Sequence, residues 1–240
     1  MTLIDRPATA PPPPTWRTRT AFWWIALTAL AVAVLAPLPY ALAPLAELAR
    51  DGQQVAANYA GRPPALQLAF ALHVAFGGLA LLLSPLQFAA RLRAQAPAVH
   101  RAVGRVVVAS IAVAGAAGLV LAPHSLAGAV GTAGFGLLAV LWLAFAGTAV
   151  RAIRHRDVAA HRRWMVRTFA LTYAAVTLRL WLGVLIAAQT ALAGVPGQVA
   201  FDRAYLLVPF LAWVPNLLVA EWYLAAGRRF PAAGQGTASP

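Results

Sequence analysis

Six long apolar runs constrain the fold of this chain more than any other feature of its sequence. The predicted spans lie near 21–45, 65–89, 104–122, 129–150, 165–191 and 204–226. Each contains about 20 residues or more, and a helix of that length crosses the ~30 Å hydrocarbon core of a bilayer. The sequence therefore predicts an all-α fold, a polytopic transmembrane bundle of six helical spans.

The composition excludes a water-soluble domain. Hydrophobic residues make up 61% of the chain and charged residues only 10%, whereas a soluble domain carries about 25% charged residues. So little polar surface cannot cover a soluble globule, so we expect the lipid bilayer to be the main partner. The chain has no cysteine, which excludes a disulfide framework, a thiolate zinc site and an iron–sulfur cluster.

The basic residues predict the orientation of the bundle. All 19 are arginine, and 15 of them lie in the N-terminal arm, the second-to-third and fourth-to-fifth connections, and the C-terminal tail. Arg50, Arg62 and Arg203 lie on the opposite side, and Arg179 lies within the fifth span. The positive-inside rule then predicts an N-in/C-in topology. We expect anionic lipids at this cytoplasmic face and no nucleic acid, because the patches are short and separated by apolar runs.

The chain divides into three parts. Residues 1–20 are predicted to be a disordered, Pro-rich cytoplasmic arm, residues 21–227 the six-helix transmembrane domain, and residues 228–240 a disordered tail. Ala41-Leu42-Ala43 looks like a signal-peptidase site after the first span. However, Pro44 follows it directly, and the arginine alternation needs an even number of spans. We therefore expect the first helix to be retained.

Polar and small residues follow one another at three- and four-residue steps in three spans, which places them on one face of each helix. The stripes are His73, Gly77, Ala80, Ser84, Gln87 and Arg91 in the second span; His161, Thr168, Thr172, Ala175, Arg179 and Gly183 in the fifth; and Tyr205, Ala212, Asn216, Ala220 and Tyr223 in the sixth. Pro209 and Pro215 are expected to bend the sixth helix. The three stripes predict a polar interior.

Arg179 is the sharpest single residue of this interior, because a charge near mid-membrane costs at least about 2.5 kcal/mol. His73 and Arg179 lie at similar depths, ~12 Å and ~16 Å from the same ends of their helices at 1.5 Å per residue, so we expect them to line one cavity. An alternative is that Arg179 only bonds backbone carbonyls and fixes the bundle. The candidate ligand-binding residues are His73, Gln87, Thr172, Arg179, Tyr205 and Asn216.

A second set of residues pairs histidine with arginine at the cytoplasmic ends of spans. It consists of His100, Arg101, Arg105, His161, Arg162 and Arg167. Two neutral imidazoles could bind haem iron or a metal, and the arginines could bind haem propionates or anionic headgroups. Ordinary topogenic anchoring is the alternative. Glu221 is expected to form a structural ion pair with Arg228, seven residues further on.

Several uncommon motifs carry a family resemblance. They are Ser84-Pro85-Leu86-Gln87-Phe88, His100-Arg101-Ala102-Val103-Gly104-Arg105, His161-Arg162-Arg163-Trp164-Met165-Val166-Arg167 and Trp213-Val214-Pro215-Asn216-Leu217-Leu218-Val219-Ala220-Glu221-Trp222. Over about 65–225 the chain resembles the predicted bacterial membrane proteins of the DUF2306 type, a family of unknown function. The resemblance implies a multi-pass protein of the bacterial cytoplasmic (inner) membrane and lends no activity.

Three functions are compatible with these residues. The first is a redox membrane protein that binds haem b or a quinone; Gly104, Gly115 and Gly118 would leave room for a macrocycle, but only His100 and His161 could pair as axial ligands. The second is a carrier or channel for a small anionic or lipid-like ligand. The third is a membrane scaffold or a subunit of a larger complex. The chain lacks the motifs of soluble hydrolases, kinases and dehydrogenases, and whether it is an enzyme stays open.

Overall fold

A computed structural model describes the backbone of residues 16–229 and the side chains of residues 20–226. Apart from a 3-10 turn at Ala122–His124, its regular elements are α-helices. In chain order they are α1 (Trp16–Leu35), α2 (Leu38–Leu42), α3 (Leu45–Arg50), α4 (Gln54–Ala60), α5 (Pro64–Phe88), α6 (Ala90–Gln95), α7 (Pro97–Leu121), α8 (Gly128–Arg154), α9 (Val158–Thr172), α10 (Ala174–Ala193), α11 (Gly197–Leu211) and α12 (Val214–Arg229).

Six helical segments in the described chain are long and apolar enough to cross a membrane. They are Thr20–Leu42, Pro64–Phe88, Pro97–His124, Gly128–Arg154, Val158–Ala193 and Gly197–Ala226. The all-α class and the six spans are thereby confirmed. The orientation of the bundle in a membrane stays a prediction.

The third, fifth and sixth spans begin seven residues before their predicted starts, at Pro97, Val158 and Gly197. The prediction followed only the apolar runs. Backbone hydrogen bonds form within a helix whether its side chains are apolar or polar, so the helices extend into the polar sequence before each run. Local signals fix the observed starts. Pro97 lies in the first turn of α7, where its missing N–H costs nothing. The Asp157 carboxylate caps α9 by accepting a 2.8 Å bond from the Ala160 N–H.

The termini also differ from the prediction. The arm was expected to be disordered through residue 20, but α1 begins at Trp16, and α12 continues to Arg229 inside the predicted tail. The predicted disorder of residues 1–15 and 230–240 lies outside the described residues. The first span packs as a helix of the bundle, and its retention stays a prediction.

Three of the spans are interrupted helices, and the first of them breaks at Ala36 and Pro37. The sixth breaks at Ala212 and Trp213, between Pro209 and Pro215, because proline donates no backbone hydrogen bond and clashes with the preceding turn. The predicted bend is therefore confirmed. The fifth breaks at Tyr173 without a proline. There, the hydroxyls of Thr168 and Thr172 donate to carbonyls four residues earlier, both at 2.9 Å, a bond that bends helices.

The third span lies at the centre of the bundle and the first at its edge. In its most apolar stretch, 44% of the third span is buried by protein, against 6% of the first. The central core consists of Ala80, Val107, Ile111, Ala114, Trp142, Ala146, Leu171, Ala174, Ala212 and Trp213. The edge helix α1 is joined to the break in the fifth span by a 2.6 Å hydrogen bond between the Thr28 and Tyr173 hydroxyls.

The two ends of the bundle differ in character. We call the end that holds the connections 89–96 and 155–157 the arginine-rich end. The opposite end, which we call the cavity end, holds α3, α4 and the Ala122–His124 turn. There, the Asn58 Nδ2 donates to the His124 carbonyl at 2.8 Å, and Gln54 bonds Gln198 at the start of α11. The connection between the first two spans is thus fastened across the bundle.

Candidate functional site

A cavity of about 530 Å³ lies among the spans toward the cavity end. Its walls are mainly aliphatic and aromatic, with contributions from all six spans and from α4. The polar side chains that line it are Tyr40, Asn58, Tyr59, His73, Ser125, Thr172, Arg179 and Tyr205. This volume falls within the ~300–1,000 Å³ of small-molecule pockets, which combine apolar walls with a few placed polar groups.

Arg179 supplies the positive charge of the cavity. Its Nη1 donates to the Ala175 carbonyl one turn earlier at 2.8 Å, and the rest of the side chain is exposed to the cavity. The phenols of Tyr40 and Tyr205 are close enough to interact with it electrostatically. Within the described residues, the structure gives Arg179 no carboxylate partner. Most of the guanidinium donors therefore have no partner among the described residues.

His73 is held against the third span. Its Nδ1 lies 2.9 Å from the Ala114 carbonyl, and because a carbonyl oxygen only accepts, Nδ1 carries a proton and donates it. The ring packs on Gly118, where a Cβ would come within 3.2 Å of Nδ1. His73 and Arg179 interact electrostatically. The imidazole thus lies on the same cavity as the guanidinium in a fixed orientation.

Aromatic rings form two patches of the cavity wall. On one side, Phe70 stacks on Tyr59 with ring centroids 4.8 Å apart and meets the edge of Tyr40 at 5.0 Å. On the other, Tyr205 and Phe135 meet edge to face with ring centroids 6.3 Å apart. Burial raises the pKa of the Tyr59 phenol above its usual value, so that phenol is neutral at ordinary pH. These rings offer apolar faces together with hydroxyl donors.

Thr172 and Trp142 brace the floor of the cavity. The Trp142 Nε1 donates to the Thr172 hydroxyl at 2.9 Å, and that hydroxyl donates to the Thr168 carbonyl at 2.9 Å. The side chain of Thr172 is 4% exposed. Its proton is therefore committed to the helix, and its main role is to position the wall beneath Arg179.

Of the six predicted interior residues, the structure brings four to this cavity and leaves two elsewhere. His73, Thr172, Arg179 and Tyr205 line it; a role for them in ligand binding stays a prediction. Asn216 instead joins the helix breaks of the fifth and sixth spans. Its Nδ2 lies within 3.0–3.2 Å of the Thr177 hydroxyl and of the carbonyls of Ala170 and Ala212. Asn216 satisfies backbone groups freed by the breaks.

Gln87 lies away from the cavity, at the arginine-rich end. Its Oε1 would be 3.0 Å from a Cβ on Gly104 of α7, so its amide occupies the space over that glycine. The Gln87 Nε2 is buried without a hydrogen-bond partner in the described chain, as is the Nδ1 of His100. Gln87 thus belongs with the histidine–arginine residues.

The predicted histidine–arginine set is divided by the structure. His100 and His161 are close enough to interact electrostatically, and the His161 Nδ1 lies 2.9 Å from the Ala149 carbonyl. Arg167 forms a bidentate pair with Glu221, at 2.5 and 2.8 Å, and lies 4.7 Å from the Trp164 ring centroid. The other three members, which are exposed, are Arg101, Arg105 and Arg162.

The Arg167 pair changes the prediction for Glu221. The carboxylate reaches across from α12 to α9 rather than only along its own helix. The side chain of Arg228 lies outside the described side chains, so the predicted pairing of Glu221 with Arg228 stays a prediction. A pair 54 residues apart in sequence cannot be found by helical spacing.

The structure gives no support to the haem prediction. The glycines expected to leave room for a macrocycle are filled by protein: a Cβ would meet Gln87 at 3.0 Å on Gly104, Leu143 at 2.7 Å on Gly115 and His73 at 3.2 Å on Gly118. Among the described residues there is also no group of three histidine or acidic side chains that could hold a metal ion.

Sequence reasoning missed the contributions of the first span and of α4. Tyr40, Asn58 and Tyr59 line the cavity but lie at the end of a span or in a connection. A tyrosine there is typical of the interfacial aromatic belt, so no periodic signal distinguishes it from an anchor. The lining by Asn58 and Tyr59 follows from α4 being folded back over the bundle.

Together, the six spans define a polytopic α-helical membrane protein with a pocket between its helices. The profile of the DUF2306 family, described as predicted membrane proteins, matches residues 70–224. The chain therefore belongs to the DUF2306 family of predicted membrane proteins. Neither the curated proteins nor the solved structures contain a match to it.

Proposed function

We propose that this protein binds a small amphipathic anion in its intramembrane cavity and acts as a carrier for it. The observation that carries the proposal is Arg179, a guanidinium exposed to an apolar-walled cavity and given no carboxylate partner among the described residues. A charge within a membrane is costly unless it is paired or hydrated. A ligand carboxylate or phosphate would supply that pair and convert the cost into affinity.

The surroundings of Arg179 favour a ligand with an apolar tail. Tyr40 and Tyr205 add phenol hydroxyls to the cavity that Arg179 lines, while the Phe70 cluster provides an apolar wall. The edge helix α1 forms one side of the cavity through residues such as Val32 and Ala33. Because that helix is the least buried span, we infer that the ligand enters from the bilayer beside it.

We also propose the orientation and the location that the arginines predict. With the arginine-rich end in the cytoplasm of a bacterium, the protein would lie in the inner membrane with the cavity toward the outer leaflet. The test is accessibility labelling of single cysteines, since the chain has none of its own. A cysteine at Arg156 should react only from the cytoplasmic side and one at Asp51 only from the outside. The reverse pattern would contradict the orientation.

Ligand-induced thermal stabilisation tests the binding. Purified full-length protein in a neutral detergent is heated with decanoate, decyl phosphate or decanol at equal concentration, and unfolding is followed by tryptophan fluorescence. We expect both anions to raise Tm and decanol to have little effect. An Arg179→Gln variant should fold but lose the response, while Arg203→Gln, a matched change at the cavity end, should keep it.

Two outcomes would overturn the proposal. An equal response to decanol and decanoate would show that the cavity selects only for apolar volume. Equal stabilisation of the wild type and of Arg179→Gln by a neutral quinone, without a response to decanoate, would favour the quinone-linked redox alternative instead.

A further inference from the structure

At the arginine-rich end, two buried polar atoms have no hydrogen-bond partner among the described residues, and neither of their residues lines the cavity. They are the Nε2 of Gln87 and the Nδ1 of His100. A buried polar group without a partner is expensive, and native proteins satisfy nearly all of them. Each of these atoms can donate a hydrogen bond. The pair therefore indicates an acceptor that is not part of the described chain.

The helix geometry brings the two groups to one place. His100 lies one turn before Gly104 on the same face of α7. The Gln87 amide sits over Gly104, with Oε1 3.0 Å from the position of its missing Cβ. Any larger residue at Gly104 would displace that amide. The glycine thus lets the end of α5 approach α7 with the amide and the imidazole on the same side.

The charges around this pair are positive. His100 interacts electrostatically with Arg93, Arg101 and His161. Arg93 is held in place because its Nη1 donates to the Gln87 carbonyl at 3.0 Å. The acidic residues described at this end are engaged elsewhere: Asp157 caps α9, and Glu221 pairs with Arg167. A cluster of donors under net positive charge suits an anion with several acceptor oxygens.

We propose that Gln87, His100 and Arg101 bind a phosphate group at the arginine-rich end of the bundle. Arg93 and His161, which interact electrostatically with His100, would add to the positive potential there. Phosphate offers more acceptor oxygens than a carboxylate and matches a site built from an amide, an imidazole and guanidinium groups. The phosphate could belong to a lipid headgroup or to a soluble phosphate. This site is separate from the cavity and does not depend on the function proposed for it.

The experiment compares phosphate sources and variants in full-length protein. Unfolding is measured in neutral detergent with added inorganic phosphate, and separately in mixed micelles containing phosphatidylglycerol or phosphatidylcholine. A rise in Tm with inorganic phosphate identifies a soluble ligand, and one with phosphatidylglycerol but not with inorganic phosphate identifies a lipid headgroup. Either result supports the site. An unchanged Tm with both inorganic phosphate and phosphatidylglycerol would overturn it.

Variants separate the site from bulk charge. Arg101→Gln and His100→Leu should weaken the apparent affinity at least tenfold, whereas Arg154→Gln, which removes the same charge at the same end, should leave it within twofold. Equal losses in Arg101→Gln and Arg154→Gln would show a diffuse charge effect and overturn the proposal. The Arg179→Gln variant should show the same rise in Tm with the phosphate probe as the wild type. This result would show that the test does not depend on the cavity.

A Gln87→Leu variant distinguishes loss of the phosphate site from loss of the fold. Removing an unsatisfied buried amide should raise Tm without ligand while abolishing the rise caused by the phosphate probe. A Gln87→Leu variant that is less stable and still responds fully would contradict the assignment of Nε2 to the ligand.

Discussion

Arg167 and Arg179 belong to the same span of the membrane domain, yet the structure treats them differently. Arg167 is bound on two sides: it makes a bidentate pair with Glu221 and lies over the Trp164 ring. Among the described residues, Arg179 donates only to the Ala175 carbonyl of its own helix, and it lines the cavity. The first guanidinium joins two helices, whereas the second lines the cavity, where we propose that it binds the ligand.

The difference teaches how to separate structural from functional charge in a membrane protein. A paired arginine at the edge of a bundle stabilises helix packing, so its removal should lower the free energy of unfolding. An unpaired arginine in a cavity lowers the free energy of unfolding, so its removal should weaken ligand binding without destabilising the protein. Four substitutions test this distinction, ordered by the expected change in the free energy of unfolding.

Arg167→Leu should give the largest change, a loss of about 1–3 kcal/mol, because it removes the bidentate ion pair between Arg167 and Glu221. The loss is below that of a fully buried pair because the Glu221 side chain is 42% exposed. Reversible unfolding in mixed detergent micelles measures it. The double variant Arg167→Leu/Glu221→Leu should recover much of the loss, and a double variant with the summed loss of both singles would show that the pair has no coupling.

Asn216→Leu should cost about 1 kcal/mol, the scale of interhelical hydrogen bonds in membrane proteins. It removes the amide that links the breaks in the fifth and sixth spans. Decanoate binding should be unchanged, since Asn216 does not line the cavity. A variant of normal stability that fails to bind decanoate would instead return Asn216 to the binding site.

Thr28→Val should cost about 0.6 kcal/mol, because it removes a single hydroxyl bond from α1 to Tyr173. The edge helix should then exchange its amide hydrogens faster, which hydrogen exchange with mass spectrometry measures peptide by peptide. Faster exchange across the third span to the same extent would show that α1 is an integral part of the core.

Arg179→Gln should give the smallest change, between zero and a gain of about 1 kcal/mol, because it removes an unpaired charge from the membrane. The same unfolding assay measures it beside Arg167→Leu. A loss as large as that of Arg167→Leu would mean that Arg179 is structural and would contradict the distinction between the two arginines.

Much of the architecture could be predicted from sequence because membrane spans obey a local rule. An apolar run must satisfy its backbone within itself, so hydropathy alone located all six helices. The starts at Pro97, Val158 and Gly197 were missed because helices continue into polar sequence where hydropathy is silent. The break at Tyr173 was missed because it depends on threonine hydroxyl bonds rather than on proline.

The site was less predictable, because contacts between helices are not periodic. Depth counting placed His73 and Arg179 at similar levels, and both line one cavity. Helical spacing placed Asn216 and Gln87 on the polar stripes but could not say that one meets Ala170 and the other Gly104. Tyr59 reaches the cavity through the packing of α4, which no single-helix pattern contains.

The position of a bound anion tests the cavity function. A crystal or cryo-electron microscopy structure with 10-bromodecanoate would locate the carboxylate by its density, and in a crystal the bromine by its anomalous signal. We expect the carboxylate against the Arg179 guanidinium and the bromine within the apolar wall of the cavity. A bromodecanoate bound only at the arginine-rich end or on the lipid-facing surface, with Arg179 uncontacted, would contradict the proposed function.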